Sequence, residues 1–179
     1  MYKRQVLICD NDNVSPFGTN LGIMGKQRWM APEIVMGKND PDKNSDRFSL
    51  AVVLFRLLFI NHPLEGRYST PPCMTKEAEQ KYYGSAPIFV YDPTTSENRP
   101  IPGTDHNLKL FWNVYPDYVK DAFIRAFSHD VMMKQKPRIL EKEWMDIFIR
   151  LRTEIGRCPH CDMTVSYTHL RAHETAANL

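Results

Sequence analysis

Two short stretches carry side chains that could hold a metal. After an apolar run at residues 6–9 (VLIC), Asp10 and Asp12 stand two apart in the polar loop D-N-D-N. Such a run reads as a buried strand that ends in a loop. Carboxylates at a strand end are hard oxygen donors suited to magnesium. The same residue types also close turns by bonding nearby backbone, and the local sequence leaves both readings open. Near the other end, Cys158 and Cys161 form a C-x-x-C knuckle whose thiolates suit zinc. His169 and His173 extend it to C-x2-C-x7-H-x3-H, but a spacer of seven residues is short for a zinc finger. The cysteine pair reads either as half of a four-cysteine ribbon or as two exposed thiols.

The elements that must position these groups are mainly helical. Ten large apolar side chains fill the thirteen positions 48–60, broken only by Ser49, Ala51 and Arg56. A helix apolar nearly all the way round belongs inside a domain. At about 1.5–3 kcal/mol per fully buried side chain, ten of them give roughly 15–30 kcal/mol of gross burial. The run is too short to cross a bilayer, which needs about 20 apolar residues. Asn44 or Ser45 is the candidate N-cap, and Asp46 then offsets the dipole in the first turn. Upstream, residues 29–35 (WMAPEIV) read as a turn and a short helix stopped by Gly37. Residues 75–83 read as another short helix, stopped by Gly84. At 87–102 the pattern changes to I-F-V-Y, D-P and N-R-P, which reads as a strand or extended arm with a tight turn, packed on the surface. Pro116 opens a helix with Val119, Ala122, Phe123, Ala126 and Phe127 at helical spacing. Pro137 and Arg138 open the last one, with Leu140, Trp144, Ile147, Phe148 and Leu151 on one face. His62 and His129 fall in loops and are assigned no ligand role.

The totals restrict the function classes. With 179 residues, 23 basic and 21 acidic, the net charge is +2, which makes no electrostatic case for nucleic acid or an anionic membrane. Four cysteines at positions 9, 73, 158 and 161 are too scattered for a disulfide framework, so the reducing cytoplasm is the expected compartment.

In order and spacing, Ala31, Pro32 and Glu33 followed by D-R-F-S-L-A at 46–51 resemble the C-terminal lobe of protein kinases. That family closes its activation segment with A-P-E and carries D-x-[WF]-S-L-G on the helix through the middle of the lobe. His62 to Gly66 (HPLEG) is similar to the H-P-F-E-G turn after that helix. The 87–102 insertion resembles one found in a bacterial subgroup. The resemblance implies a mainly α fold: a kinase C-terminal lobe over residues 6–155 with a short β insertion, and the N-terminal lobe lying outside this sequence. Residues 156–164 would begin a zinc ribbon. It also implies roles. Asp10 stands where the D-F-G aspartate holds magnesium against nucleotide phosphates, with Asp12 a substitute ligand. Glu33 pairs with Arg138, and Asp46 reaches back to the catalytic loop; these three are structural anchors. The implied activity is transfer of the ATP γ-phosphoryl group to serine or threonine of a protein substrate. The catalytic loop is expected upstream of Val6, so the chain alone is expected to be inactive and no catalytic residue is assigned within it. Lys26 stands where the family has a threonine that contacts the catalytic aspartate. That departure feeds the alternative, a pseudokinase or scaffold that binds protein partners without catalysis.

Both ends look foreign. MYKRQ and VSYTHLRAHET resemble translated sequencing-adapter read-through, so residues 1–5 and 165–179 are expected to be non-native.

Overall fold

Asp42 starts the longest helix, α2 (Lys43–Phe59), three residues before the candidate Ser45. Pro41 precedes it, and the extended Asp42 backbone (φ −143°) lets its carboxylate accept the Ser45 N–H at 2.7 Å. The Ser45 hydroxyl closes the box on the Asp42 N–H at 2.8 Å. Two of the orphan donors of the first turn are thereby satisfied, which corrects the cap expected at Asn44 or Ser45. The computed structural model describes residues 16, 19, 25–71, 73–134, 136–157 and 164–166.

The remaining elements follow in order. A 3-10 turn (Gln27–Trp29) leads into α1 (Pro32–Val35), and Gly37 stops it in a left-handed conformation (φ 64°). After α2 come α3 (Lys76–Gln80), capped by the Thr75 hydroxyl and continued as a π turn (Lys81–Ser85), and α4 (His106–Val114). Then follow α5 (Asp117–Ala126), α6 (His129–Met132) and α7 (Glu141–Thr153). A short antiparallel pair, β1 (Ile155–Arg157) and β2 (Thr164–Ser166), aligns Gly156 with Val165. The fold is mainly α.

The core is aromatic and centres on α2. Phe55 meets the rings of Phe59, Phe123 and Phe89 at centroid distances of 4.5, 5.3 and 5.6 Å. The pairs with Phe123 and Phe89 are edge-to-face, and such pairs add to plain area burial. From α5, Val119, Ala122, Phe123 and Ala126 are buried at the helical spacing read from sequence, and Trp144 of α7 packs on Phe123 at 4.9 Å.

Three expectations need correcting. First, α2 is not buried all round: Phe48, Val52, Phe55 and Phe59 are buried, but Val53, Leu57 and Ile60 are exposed, Leu57 at 71%. The four buried residues bring the gross burial down to roughly 6–12 kcal/mol. Second, no strand forms at 87–102. Val90 N–H donates to Pro63 O and Asp92 N–H back to Phe89 O, so the arm bonds a loop and its own turn rather than a ladder. Nor does it lie wholly on the surface: Pro93, Thr94, Ser96 and Glu97 are exposed, but its start is not. Phe89 and Val90 are core residues, and Phe89 stacks on Phe127 at 5.3 Å. Third, α7 begins at Glu141, because residues 137–140 stay extended while Arg138 reaches across to α1. Helix α4 has no counterpart in the sequence reading.

Candidate functional site

Glu33 begins the candidate site in the first turn of α1, and Arg138 reaches it from just ahead of α7. Two parallel hydrogen bonds join them: Nη1 donates to Oε1 at 2.9 Å and Nη2 to Oε2 at 2.7 Å. Both residues are buried. Nη1 also donates to the Asn44 carbonyl at 2.9 Å, and the guanidinium lies over the Phe48 ring at 5.4 Å. The arginine therefore ties α1 to the start and the inner face of α2. Lys134, in a left-handed conformation, brings Nζ to 3.2 Å from Glu33 Oε1. Burial pushes the Glu33 carboxyl up, but the Arg138 hydrogen bonds and charge, with Lys134, outweigh it and leave the pKa lowered.

A second arginine–glutamate pair sits on the other side of the 3-10 turn. Arg28 Nη2 contacts both Glu65 oxygens, at 2.5 and 2.6 Å, and the Tyr83 hydroxyl donates to Glu65 Oε1 at 2.7 Å. Burial, then that bond to Glu65, push the Tyr83 pKa up. His62 stands behind the pair, almost wholly buried. Its Nδ1 accepts the Leu64 N–H at 3.2 Å, which leaves Nε2 to donate to Arg28 O at 2.7 Å. The ring is thus the neutral Nε2–H tautomer. Burial lowers its pKa from the ordinary 6.5 to about 4, against the raising pull of Glu65.

Arg28, Glu65 and Tyr83 line an open cavity of about 600 Å³ together with Lys26, Ser69, Met74 and Glu79. Its wall at 66–70 is set by Asn98, which is 1% exposed. The Asn98 amide donates to Leu64 O at 2.9 Å and Ile88 O at 2.6 Å; its carbonyl accepts from the Tyr68 and Ser69 N–H groups at 3.1 and 3.3 Å. Gly66 permits this close approach, since a Cβ there would lie 2.3 Å from Asn98 O. The arm at 87–102 therefore shapes the cavity wall from behind.

No protein-family model, curated protein or solved structure matches this chain.

Of the residues singled out from sequence, the structure brings Glu33 and Arg138 together and places Asp46 in the first turn of α2. The Asp46 carboxylate is exposed, and partial desolvation, then the charge of Asp42, push its pKa up. Asp10, Asp12, Cys158 and Cys161 lie outside the described residues, the two cysteines between β1 and β2. Among the described residues no group of three or more His, Cys, Asp or Glu side chains could hold a metal. That pair of strands also runs across residue 165, where the non-native tail was expected to start. No helix of the described residues is long and apolar enough to cross a membrane.

Sequence reasoning missed the Arg28–Glu65–Tyr83 network and the part played by Asn98. Glu65 and Asn98 stood inside quoted motifs, H-P-L-E-G and N-R-P. Nothing in their spacing linked either to Arg28 or to a cavity.

Proposed function

We propose that this chain is part of a serine/threonine protein kinase, its helical fold being the C-terminal lobe. The observation that carries the reading is the buried fork between Glu33 and Arg138, 105 positions apart. It joins the A-P-E motif to the P-R dipeptide ahead of the last long helix, the pair that the family resemblance implies. In this reading Asp10, with Asp12, holds magnesium against the ATP phosphates. That metal neutralises phosphate charge when bound. Cys158 and Cys161, in the segment that links β1 to β2 in the sequence, belong to a zinc knuckle. The chain's own described residues do no bond-making. They hold the activation segment in place and offer the cavity beside Arg28 to the acceptor protein. The compartment is the cytoplasm, with ATP and a protein substrate as partners and no nucleic acid or membrane.

A second reading is favoured by one observation. Lys26 occupies the position at which the resemblance predicts a threonine against the catalytic aspartate, and its side chain stands exposed at the cavity. A pseudokinase or scaffold would use the same cavity to bind a partner without transfer. The natural sequence upstream of Val6 decides between them. Reading through the source locus and expressing the extended protein is expected to reveal an H-R-D-x-x-x-x-N loop and transfer of labelled γ-phosphate to a generic protein acceptor. An upstream sequence without that loop or the strand lysine would establish the scaffold instead.

A further inference from the structure

His62 is held at both edges of its ring, and a second proton has one place to go. Nε2 donates to Arg28 O at 2.7 Å, so the proton must add at Nδ1, the atom that accepts the Leu64 N–H at 3.2 Å. Two N–H groups would then face each other. The His62 ring and Leu64 are both buried, so water cannot relieve either one. Nor can the Pro63–Leu64 peptide turn away, because its carbonyl, Pro63 O, accepts the Val90 N–H at 2.9 Å.

The charged and titratable groups around the ring are Glu65 in its own turn, Arg28 on the 3-10 turn, Arg56 on α2 and Tyr83 on the π turn. Both arginines oppose a positive ring, and burial, then the bond to Glu65, keeps the Tyr83 hydroxyl neutral. Among the described residues, Glu65 is the one anion of this set. Its Oε1 lies 3.8 Å from Nδ1, about 1 Å beyond a charge-assisted hydrogen bond. The same oxygen takes Arg28 Nη2 at 2.5 Å and the Tyr83 hydroxyl at 2.7 Å. The Glu65 side chain is 29% exposed and the His62 ring wholly buried, so the carboxylate is the part that can move.

We propose that this cluster is a proton switch: a proton on His62 Nδ1 draws the Glu65 carboxylate off Arg28, and the freed guanidinium turns into the cavity. The Arg28 main chain stays in place, because Nε2 donates to its carbonyl in both states. Acid thus replaces a neutral arginine–glutamate pair in the cavity wall by a single positive charge. Burial sets the point at which this happens well below neutral pH, since it holds the His62 pKa at about 4. The switch is independent of what the cavity binds.

The test is an NMR titration of the full chain from about pH 7 down to about pH 3, following the His62 ring nitrogens and the Arg28 guanidinium. His62→Gln identifies the ring signals by their loss, and Arg28→Gln those of the guanidinium. Near-UV circular dichroism checks that the aromatic packing persists over the same range. In the wild type, the Arg28 guanidinium should be restrained at neutral pH and become free to rotate at the midpoint where Nδ1 is protonated. Arg28→Gln leaves Glu65 to the ring and should raise that midpoint by about one pH unit, whereas Glu65→Gln should lower it. In His62→Gln, Arg28 should stay restrained through the wild-type midpoint. Release of Arg28 at the same pH in His62→Gln would overturn the proposal, because the carboxylate's own protonation would then be the cause. So would protonation of His62 with Arg28 still held, a midpoint unmoved by Arg28→Gln and Glu65→Gln, or loss of the fold before the ring titrates.

Discussion

Two arginine–glutamate pairs flank residues 28–33, and they work in opposite regimes. Arg138 and Glu33 meet as fork on fork, with two nitrogens to two oxygens, both side chains under a tenth exposed. Arg28 spans both Glu65 oxygens with a single nitrogen, and the two side chains are 41% and 29% exposed. Parallel N–H···O bonds add direction to charge, and burial removes water as a substitute partner. The first pair is therefore a fastening that the fold cannot lose cheaply. The second is open to solvent, and its geometry serves the cavity more than the stability of the domain.

The largest test of that contrast is Arg138→Ala. It takes both forked donors from Glu33, leaving Lys134 as the carboxylate's remaining partner, and one donor from the Asn44 carbonyl, and the loss should be about 3–5 kcal/mol, read from urea unfolding. Replacing both partners, as E33M/R138M, should cost much less, because no buried charge is then abandoned. A double variant as damaged as the single one would mean that shape, not charge, holds this junction.

Acid should expose the buried chemistry next. His62 titrates at about 4 in the fold and near 6.5 when unfolded, so the unfolded state binds more protons between those values. Its contribution is full above pH 6.5 and is lost as pH falls toward 4, by on the order of 3 kcal/mol. Glu33 acts in the same direction at lower pH. Its lowered pKa gives stability that is present above the ordinary carboxylate range and is lost as pH falls through the folded value. His62→Gln should flatten the stability curve between pH 6.5 and 4 and leave the more acidic loss in place. A curve unchanged by that variant would assign the acid sensitivity elsewhere.

Much of the scaffold was legible because it depends on periodicity. The apolar run at 48–60 and the spacing of Val119, Ala122, Phe123 and Ala126 placed α2 and α5, and two motifs pointed to the contact between Glu33 and Arg138. What failed was whatever depends on a neighbour. Apolar residues all round α2 implied burial, yet a helix can be buried only where another element covers it, and Leu57 is open. The I-F-V-Y run read as a strand or an extended arm with a turn, and its N–H groups found a loop carbonyl and a turn rather than a ladder. The cavity was invisible for the same reason: it arises where residues near 28, 65, 79 and 98 converge, and no local pattern encodes that convergence.

Gly66→Ala probes the wall of the cavity itself. The new Cβ would meet Asn98 O at 2.3 Å, and that oxygen is backbone in a segment already held by the buried Asn98 side chain. Relief requires the 66–70 turn to move off the arm, at about 1–3 kcal/mol, the usual cost of overpacking. The change should loosen the Arg28 side of the cavity and spare the Arg138 fork. Proteolysis ought therefore to cut the variant first near residues 66–71. Wild-type stability for this variant would show that the arm is not fixed against the turn.

Arg28→Ala should be the mildest of the four. Both partners of this pair reach solvent, so the released Glu65 carboxylate can be rehydrated, and it keeps the Tyr83 hydroxyl at 2.7 Å. The expected loss is below about 1 kcal/mol, and it should shrink further as salt is raised, since exposed charges are screened within about 10 Å at 0.1 M. Arg138→Ala, with its charge shielded from ions, should show no such salt dependence. The pair of curves is therefore more telling than either alone. If Arg28→Ala destabilises by as much as Arg138→Ala, and equally at low and high salt, then the Glu65 carboxylate is effectively buried. The cavity would in that case be a structural void and not an open site.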